Sequence, residues 1–336
     1  MPSWGVRIAL VVVVVAVFGC GNRKQEEPQP DRRSPPVATP KPKPRAGCEK
    51  PGSTVCVDDE VVECLANGAL GKPVKRCNGG CNAGACVETC ALRDVELVYV
   101  VDTDHNLSSF DPRKLPNDPF HTIGRLTCDS RSSPFSMAVD RLGIAWINYH
   151  NGLVYRVSII DGKCKQAVTT DGAPSEFGMG FVSDGPNVET EKLFVSAYGD
   201  GRFAELDVSQ KRPRWKQLGT FTVAKNPELT GTGGGQLFGF FPEDGDNGFV
   251  QEIDRATGKV IGKPLKVGAP RGEIGGWAFA HWGGKFYVFV TIDNNSMVFE
   301  VDGKTGQSKR VLENLPSRIV GAGVSTCAPL LETPAQ

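Results

Sequence analysis

The side chains that could carry chemistry are few and scattered. Four histidines occur, His105, His121, His150 and His281. None falls in a His-x-x-x-His or His-Glu-x-x-His spacing, so no helix-borne metal pair is encoded. No Gly-x-Ser-x-Gly turn is present to expose a nucleophilic serine. Paired carboxylates are the remaining route to acid–base chemistry, and glycoside hydrolysis needs two of them roughly 5–9 Å apart. Asp140 and Asp184 occupy equivalent places after two consecutive strand signals. Both also precede turns, Asp140-Arg141-Leu142-Gly143 and Asp184-Gly185-Pro186, where Asp is the expected residue. Asp244-Gly245-Asp246-Asn247-Gly248 and Asp102-Thr103-Asp104 hint at a calcium loop. Both break its alternation of oxygen ligands and read better as turns. Gly231 to Gly235 lacks the Lys-Ser/Thr of a phosphate loop. No catalytic residue, metal ligand or cofactor is assigned from these.

Cysteine is the informative residue, with eleven in the chain. Cys20 stands apart from the rest. Arg7 is followed by an apolar run, Ile8 to Phe18, that is too short for the roughly 20 residues of a bilayer span. It reads as a signal-peptide core. The run ends in Val17-Phe18-Gly19-Cys20, which resembles the bacterial lipobox, and Cys20 would receive diacylglycerol. Residues 1–20 are therefore expected to be a lipoprotein signal peptide. Residues 21–47 follow with seven prolines (Pro28, Pro30, Pro35, Pro36, Pro40, Pro42, Pro44) and no aromatic. Such a segment buries too little apolar surface to offset its chain entropy, and proline keeps it extended. It is expected to be a disordered tether between membrane and folded part. Gly21 stands where an inner-membrane retention Asp would, so the outer membrane is the expected address.

The chain is formally neutral. The tether carries seven Lys/Arg against three Asp/Glu, which leaves the folded part about −5. No basic surface for nucleic acid is implied. Ten cysteines remain for an exported chain, an even number that implies disulfides. Six of them, Cys48, Cys56, Cys64, Cys77, Cys81 and Cys86, crowd into a stretch with little apolar content. Their spacing lacks the C-x2-C knuckles of common zinc sites, and no histidine lies among them. Residues 48–90 thus read as a small module held by bridges in place of a core. Its connectivity is open among fifteen possibilities.

The elements beyond residue 90 are short apolar strands divided by Gly, Asp, Asn and Pro, and one phrase recurs. It ends at Asp111, Ser158, Asp207, Asp254 and Asp302, at near-equal intervals. An Asp-x-x-Thr-Gly turn follows the last two copies. Just upstream of each phrase lies another strand: Glu96 to Val101, Ile144 to Tyr149, Lys192 to Ala197, Gln236 to Phe241 and Lys285 to Val290. A strand rich in small residues forms a third set: Phe135 to Asp140, Gly178 to Ser183, Glu228 to Gly233, Gly276 to Ala280 and Ile319 to Val324. A four-strand unit recurring at such an interval is a β-propeller blade. Residues 91–327 then hold five blades. The first phrase lacks an inner strand upstream and the last inner strand lacks followers, so one blade is shared between the two ends. The fold class is all-β, a five-bladed β-propeller with a shared closing blade, after the small disulfide-rich module. Ring closure would bring Cys327 to Cys90, leaving Cys128 to pair with Cys164. Residues 328–336 are a tail.

Several phrases carry a family likeness. They include Phe135-Ser136-Met137-Ala138-Val139-Asp140, Glu228-Leu229-Thr230-Gly231-Thr232-Gly233, Leu237-Phe238-Gly239-Phe240-Phe241, Trp277-Ala278-Phe279-Ala280 and Ile319-Val320-Gly321-Ala322-Gly323-Val324-Ser325-Thr326-Cys327. Over nearly all of residues 91–329 the chain resembles a group of predicted lipoproteins of myxobacteria. The resemblance implies an exported, lipid-anchored, propeller-like protein and adds no catalytic residue. The functional expectation is a monomeric binding or scaffold protein in the cell envelope, held to the membrane by its lipid, with a protein or glycan ligand on one propeller face. Tyr149, Trp277, His281 and Trp282, near strand ends, are the candidate contacts. The competing readings are a glycan-directed extracellular hydrolase or lyase with acids at the channel mouth, and a purely structural envelope protein.

Overall fold

A computed structural model describes residue 48 and residues 50–332, apart from 58–59, 78–80, 87–88, 166, 211, 222–225 and 244–247. Cys20, the proline-rich segment and Asp244 to Asn247 lie outside the described residues. Strands dominate, and a 3₁₀ turn at Pro112–Lys114 is the one helical element among the described residues.

The cysteine-rich module has a three-stranded sheet, β1 (Thr54–Val57), β2 (Glu60–Cys64) and β3 (Leu70–Arg76), and a two-stranded ladder, β4 (Cys81–Asn82) with β5 (Ala85–Cys86). Of its described apolar residues only Val61, Val62, Cys64 and Cys77 are buried. Disulfides Cys48–Cys64, Cys56–Cys81 and Cys77–Cys86 make up for that small core.

Twenty strands follow, in five four-stranded sheets. The first three are β6 (Val98–Asp102), β7 (Asn106–Phe110) and β8 (Phe120–Arg125). The second sheet is β9 (Pro134–Val139), β10 (Ile144–Tyr149), β11 (Leu153–Ser158) and β12 (Val168–Thr169). The third is β13 (Phe177–Ser183), β14 (Glu191–Ala197), β15 (Arg202–Asp207) and β16 (Arg214–Thr220). The fourth is β17 (Glu228–Gly231), β18 (Leu237–Phe241), β19 (Phe249–Ile253) and β20 (Val260–Lys266). The fifth is β21 (Ile274–Trp282), β22 (Lys285–Ile292), β23 (Asn295–Asp302) and β24 (Ser308–Leu315). The last strand, β25 (Ile319–Val324), returns to pair antiparallel with β6, Ala322 opposite Val100 and Val324 opposite Val98. It completes the sheet that the first three strands began, in the order β25-β6-β7-β8.

The first strands of the sheets neighbour one another in a cycle, β9 to β13 to β17 to β21 to β25 and back to β9. The arrangement is propeller-like. Each gap between adjacent sheets holds its own apolar cluster. Alternation within a strand feeds two clusters at once. In β6, Tyr99 and Val101 face the sheet of β9 to β12, while Val98 and Val100 face the sheet of β21 to β24. Both faces are covered, so these strands read as near-continuous apolar runs.

Small residues in the inner strands have a steric cause. A Cβ on Gly180 would lie 3.0 Å from the backbone of Leu229, and one on Gly323 would lie 2.9 Å from the Cα of Ala138. Strand backbones meet there with no room for a side chain. The Asp-x-x-Thr-Gly turns fold as their chemistry requires. The Asp254 Oδ1 accepts from the amides of Ala256 (2.9 Å) and Thr257 (3.0 Å), and Asp302 repeats this with Lys304 (3.0 Å) and Thr305 (2.7 Å). Cys90 is bonded to Cys327 across the closing sheet. Cys128, after β8, is bonded to Cys164, between β11 and β12.

Candidate functional site

The two ends of the inner-strand ring differ in chemistry. The end where the inner strands finish holds the turns with Asp140 and Asp184. A cavity of about 510 Å³ lies there, lined by Asp140, Trp146, Arg156, Lys165, Glu191 and Lys192 among others. Asp140 is fully engaged. It accepts from the amides of Leu142 and Ile144, both at 2.9 Å, and from the Trp146 indole at 3.0 Å. Asp184 is exposed and stands 4.0 Å from Lys192. A catalytic carboxylate must be free to exchange a proton with substrate, and Asp140, which holds a turn and an indole, is not.

The carboxylate coupled to Asp140 is Glu191, which the sequence did not flag. Glu191 accepts from the Arg141 amide at 2.8 Å and the Thr326 hydroxyl at 2.7 Å. Burial, with a smaller push from Asp140, raises its carboxyl to about 7 against those hydrogen bonds. Arg141 donates through Nη1 to Thr326 (3.2 Å) and to the Val188 carbonyl (3.1 Å), and its own carbonyl accepts from the Cys90 amide (3.0 Å). These groups join the β9–β10 turn, the start of β14 and the residues after β25. The cluster is a clasp at the ring closure.

Three of the four contact residues expected from sequence are core residues. Tyr149 is 0% exposed and packs edge-on to Tyr155 at 5.0 Å. Trp282 is 3% exposed, and its indole donates to the Glu96 carbonyl at 2.8 Å. His281 is 7% exposed, stacked on Phe238 at 6.3 Å and set edge-on to Phe286 at 5.4 Å. Burial lowers its imidazole to about 4, so it is neutral at neutral pH. A strand-end position sets a residue's height along the axis, but the pleat decides which face it points to. Trp277 and Trp282 are an odd number of positions apart on β21 and so point to opposite faces. Asp102-Thr103-Asp104 is a turn: the Asp102 Oδ1 accepts from the amides of Asp104 (2.9 Å) and Asn106 (2.8 Å). No group of three or more metal-binding side chains occurs among the described residues.

Trp277 is different. It lines a cavity of about 340 Å³ at the opposite end, where the inner strands begin. Pro134 and Phe135 of β9, Glu228 of β17, Gly276 of β21 and Val320 of β25 meet around it. The ends of β10 and β14 add His150 and Tyr198. The rings form a chain. His150 meets Phe135 edge-on at 5.2 Å, Phe135 meets Tyr198 edge-on at 5.4 Å, and Tyr198 lies near-parallel to Trp277 at 6.4 Å. Tyr198 is 42% exposed despite its size. His150 Nδ1 is 2.7 Å from the Glu176 carboxylate.

Glu228 lies at the base of this mouth, 3% exposed. Its Oε2 accepts from the Ser136 hydroxyl of β9 at 2.9 Å, so the side chain spans inner strands that are not neighbours in the ring. Burial drives its carboxyl well above the usual carboxylate range, against hydrogen bonds from Ser136, Met179 and Leu229. Nothing in the sequence pointed to it, because Glu228 sits in a strand amid small residues with no motif around it.

No family model matches the chain, and no curated protein matches it in sequence. Similar solved structures include one described as the nidogen/laminin complex, with 11% identity and a TM-score of 0.45, covering 68% of this chain and 97% of that one. The glutaminyl cyclase of Myxococcus xanthus is similar at 16% identity and a TM-score of 0.37, covering 58% of this chain and 72% of its own. A protein of unknown function from Bacteroides caccae is similar at 9% identity and a TM-score of 0.40, covering 67% and 97%.

Proposed function

We propose that the chain is a lipid-anchored envelope protein whose five-bladed propeller holds a ligand in the aromatic mouth formed where its inner strands begin. Five sheets in a cycle, one completed by β25, support the blade count. Five disulfides support an oxidising, extracytoplasmic address. The lipid on Cys20, the outer membrane and kinship with the myxobacterial lipoproteins belong to the same reading. A Cys20→Ala chain recovered in the soluble fraction would support the anchor, and one still in the membrane would overturn it.

The observation that carries the binding role is the mouth itself. An aromatic wall with an exposed tyrosine and a few polar groups at a concave end is the usual composition of a ligand site. Tyrosine and tryptophan, each with an apolar body and a polar handle, suit such contact surfaces. The acids expected for hydrolysis stand at the other end of the ring, Asp140 engaged in its turn and Asp184 exposed beside Lys192, so binding is favoured over catalysis. The test is retention of the purified, detergent-solubilised chain on isolated envelope material. Tyr198→Ala with Trp277→Ala should weaken half-saturation by at least about tenfold, as loss of two aromatic anchors does. Lys192→Ala, at the opposite end, should leave it unchanged. Equal retention of all three proteins would overturn the assignment.

A further inference from the structure

We infer that the aromatic mouth takes the carboxylate-bearing end of a saccharide chain. The inference rests on the mouth being a binding site, as proposed above, and goes on to name the class of ligand. Three features of the site converge on it.

The first is the wall. Tyr198 is 42% exposed and its ring lies 25° from parallel to that of Trp277, 6.4 Å away, so aromatic surface is open to solvent at the mouth. The face of a pyranose ring is a sheet of C–H groups that packs on such a surface, while its hydroxyls point outward from the edge. Those hydroxyls need polar partners once they leave water. The second feature is therefore the polar lining, Thr103, Ser133 and Glu228, around the same cavity. Burial raises the Glu228 carboxyl, which disfavours its charged form beside an incoming anion.

The third is Arg318. Its side chain lies over the start of β21, where a Cβ on Gly275 would meet the guanidinium carbon at 3.5 Å and one on Gly276 would meet the arginine stem at 3.2 Å. The two glycines make the room for it. The guanidinium donates to Asn294 through Nη2 at 3.3 Å. Among the described residues no carboxylate lies within 4.0 Å of it. Asp104 lines an adjoining cavity with Arg318 without an ion pair to it among the described residues, and Glu176 is held by His150. A half-buried arginine fork without an anion, on the lining of a cavity, suits bidentate contact with a carboxylate. The volume, about 340 Å³, is near the lower end for ligand pockets and fits a chain end more than a folded partner. Peptide capture by strand addition needs an open sheet edge, and here the inner edges face one another around the axis.

The test is calorimetric titration of the full chain in detergent with three probes: trigalacturonic acid, its carboxyl-reduced neutral trisaccharide, and N-acetylmuramic acid. At least one acidic sugar should bind saturably, and the neutral trisaccharide should bind about tenfold more weakly than its parent acid, the loss of one charge-assisted contact. Arg318→Gln should erase that difference, Arg318→Lys should restore part of it, and Trp277→Ala should weaken both sugars. Equal affinity for the acid and the neutral trisaccharide would overturn the carboxylate assignment, and the wild-type comparison decides this whether or not the arginine variants fold. No heat with any probe, while envelope retention still depends on Tyr198 and Trp277, would overturn the saccharide class and leave the binding role standing. Loss of both dependences would overturn the binding role as well.

Discussion

Removing the bridge that closes the ring should cost more than removing any other, and chiefly through the unfolded chain. Cys90 and Cys327 are 237 residues apart in sequence, whereas Cys128 and Cys164 are 36 apart. The loop-entropy relation gives about 5.5 kcal/mol for the first and about 3.8 kcal/mol for the second at 25 °C. The folded ring keeps its closing sheet in either case, because β25 still pairs with β6 along its length. Paired serine variants, Cys90→Ser/Cys327→Ser and Cys128→Ser/Cys164→Ser, isolate the two bridges. Guanidinium unfolding followed by tryptophan fluorescence should show the first variant less stable than the second by about 1.7 kcal/mol. Its denaturant slope should also rise, since a chain released from a large loop exposes more surface when unfolded. Equal losses, or a lower midpoint with an unchanged slope in the ring-closing variant, would show that the bridge acts on the folded ring and would refute the argument.

Packing and charge lead to three more expected outcomes. Gly323→Ala puts a methyl 2.9 Å from the Ala138 backbone, which has nowhere to go, so about 1–3 kcal/mol should be lost; Gly268→Ala, whose nearest neighbour would be Ser308 at 3.8 Å, should stay within about 0.5 kcal/mol of the parent, and matched losses would show that the inner strands can spread. Tyr149→Phe removes a buried hydroxyl that has no partner among the described residues, so thermal unfolding should find it neutral or up to about 1 kcal/mol more stable, and a clear loss would reveal a partner for that hydroxyl. Glu191, raised to about 7 in the fold, binds its proton more tightly there than in the unfolded chain, so its contribution is fully present below pH 4.5 and is lost as pH rises towards 7. Glu191→Gln should flatten the fall in stability across that window by up to about 3 kcal/mol, measured by denaturant midpoints at pH 4.5 and 7.5, and an unaltered slope would remove Glu191 as its source.

The parts legible in the sequence were those with one dominant physical cause. Ile144–Tyr149 and Leu153–Ser158 stand where the apolar runs put them, because burial on both sheet faces leaves an uninterrupted signal. The inner strands were visible as clusters of small residues, since backbones such as those at Gly323 and Ala138 touch. The outermost strands carried no signal: Val260–Lys266 is largely exposed and Val168–Thr169 is two residues long. The site was the least legible part. Phe135 and Tyr198 belong to different sheets and meet only once those sheets pack together, and Tyr198 follows its strand with no periodicity to mark it. Tyr149 and Trp282 were drawn to the surface by their place at strand ends, and the pleat sent them inward.

The shared sheet also sets a schedule. β6, β7 and β8 are complete by Arg125, but the strand that covers the inner edge of β6 begins only at Ile319, after the other four sheets have been made. At a synthesis rate of about 5–20 residues per second, that edge stands open for roughly 10–40 s in every new molecule. Its backbone donors and acceptors can pair with any extended segment that arrives first. The ring therefore cannot assemble from front to back as each sheet emerges. It must wait for its last strand.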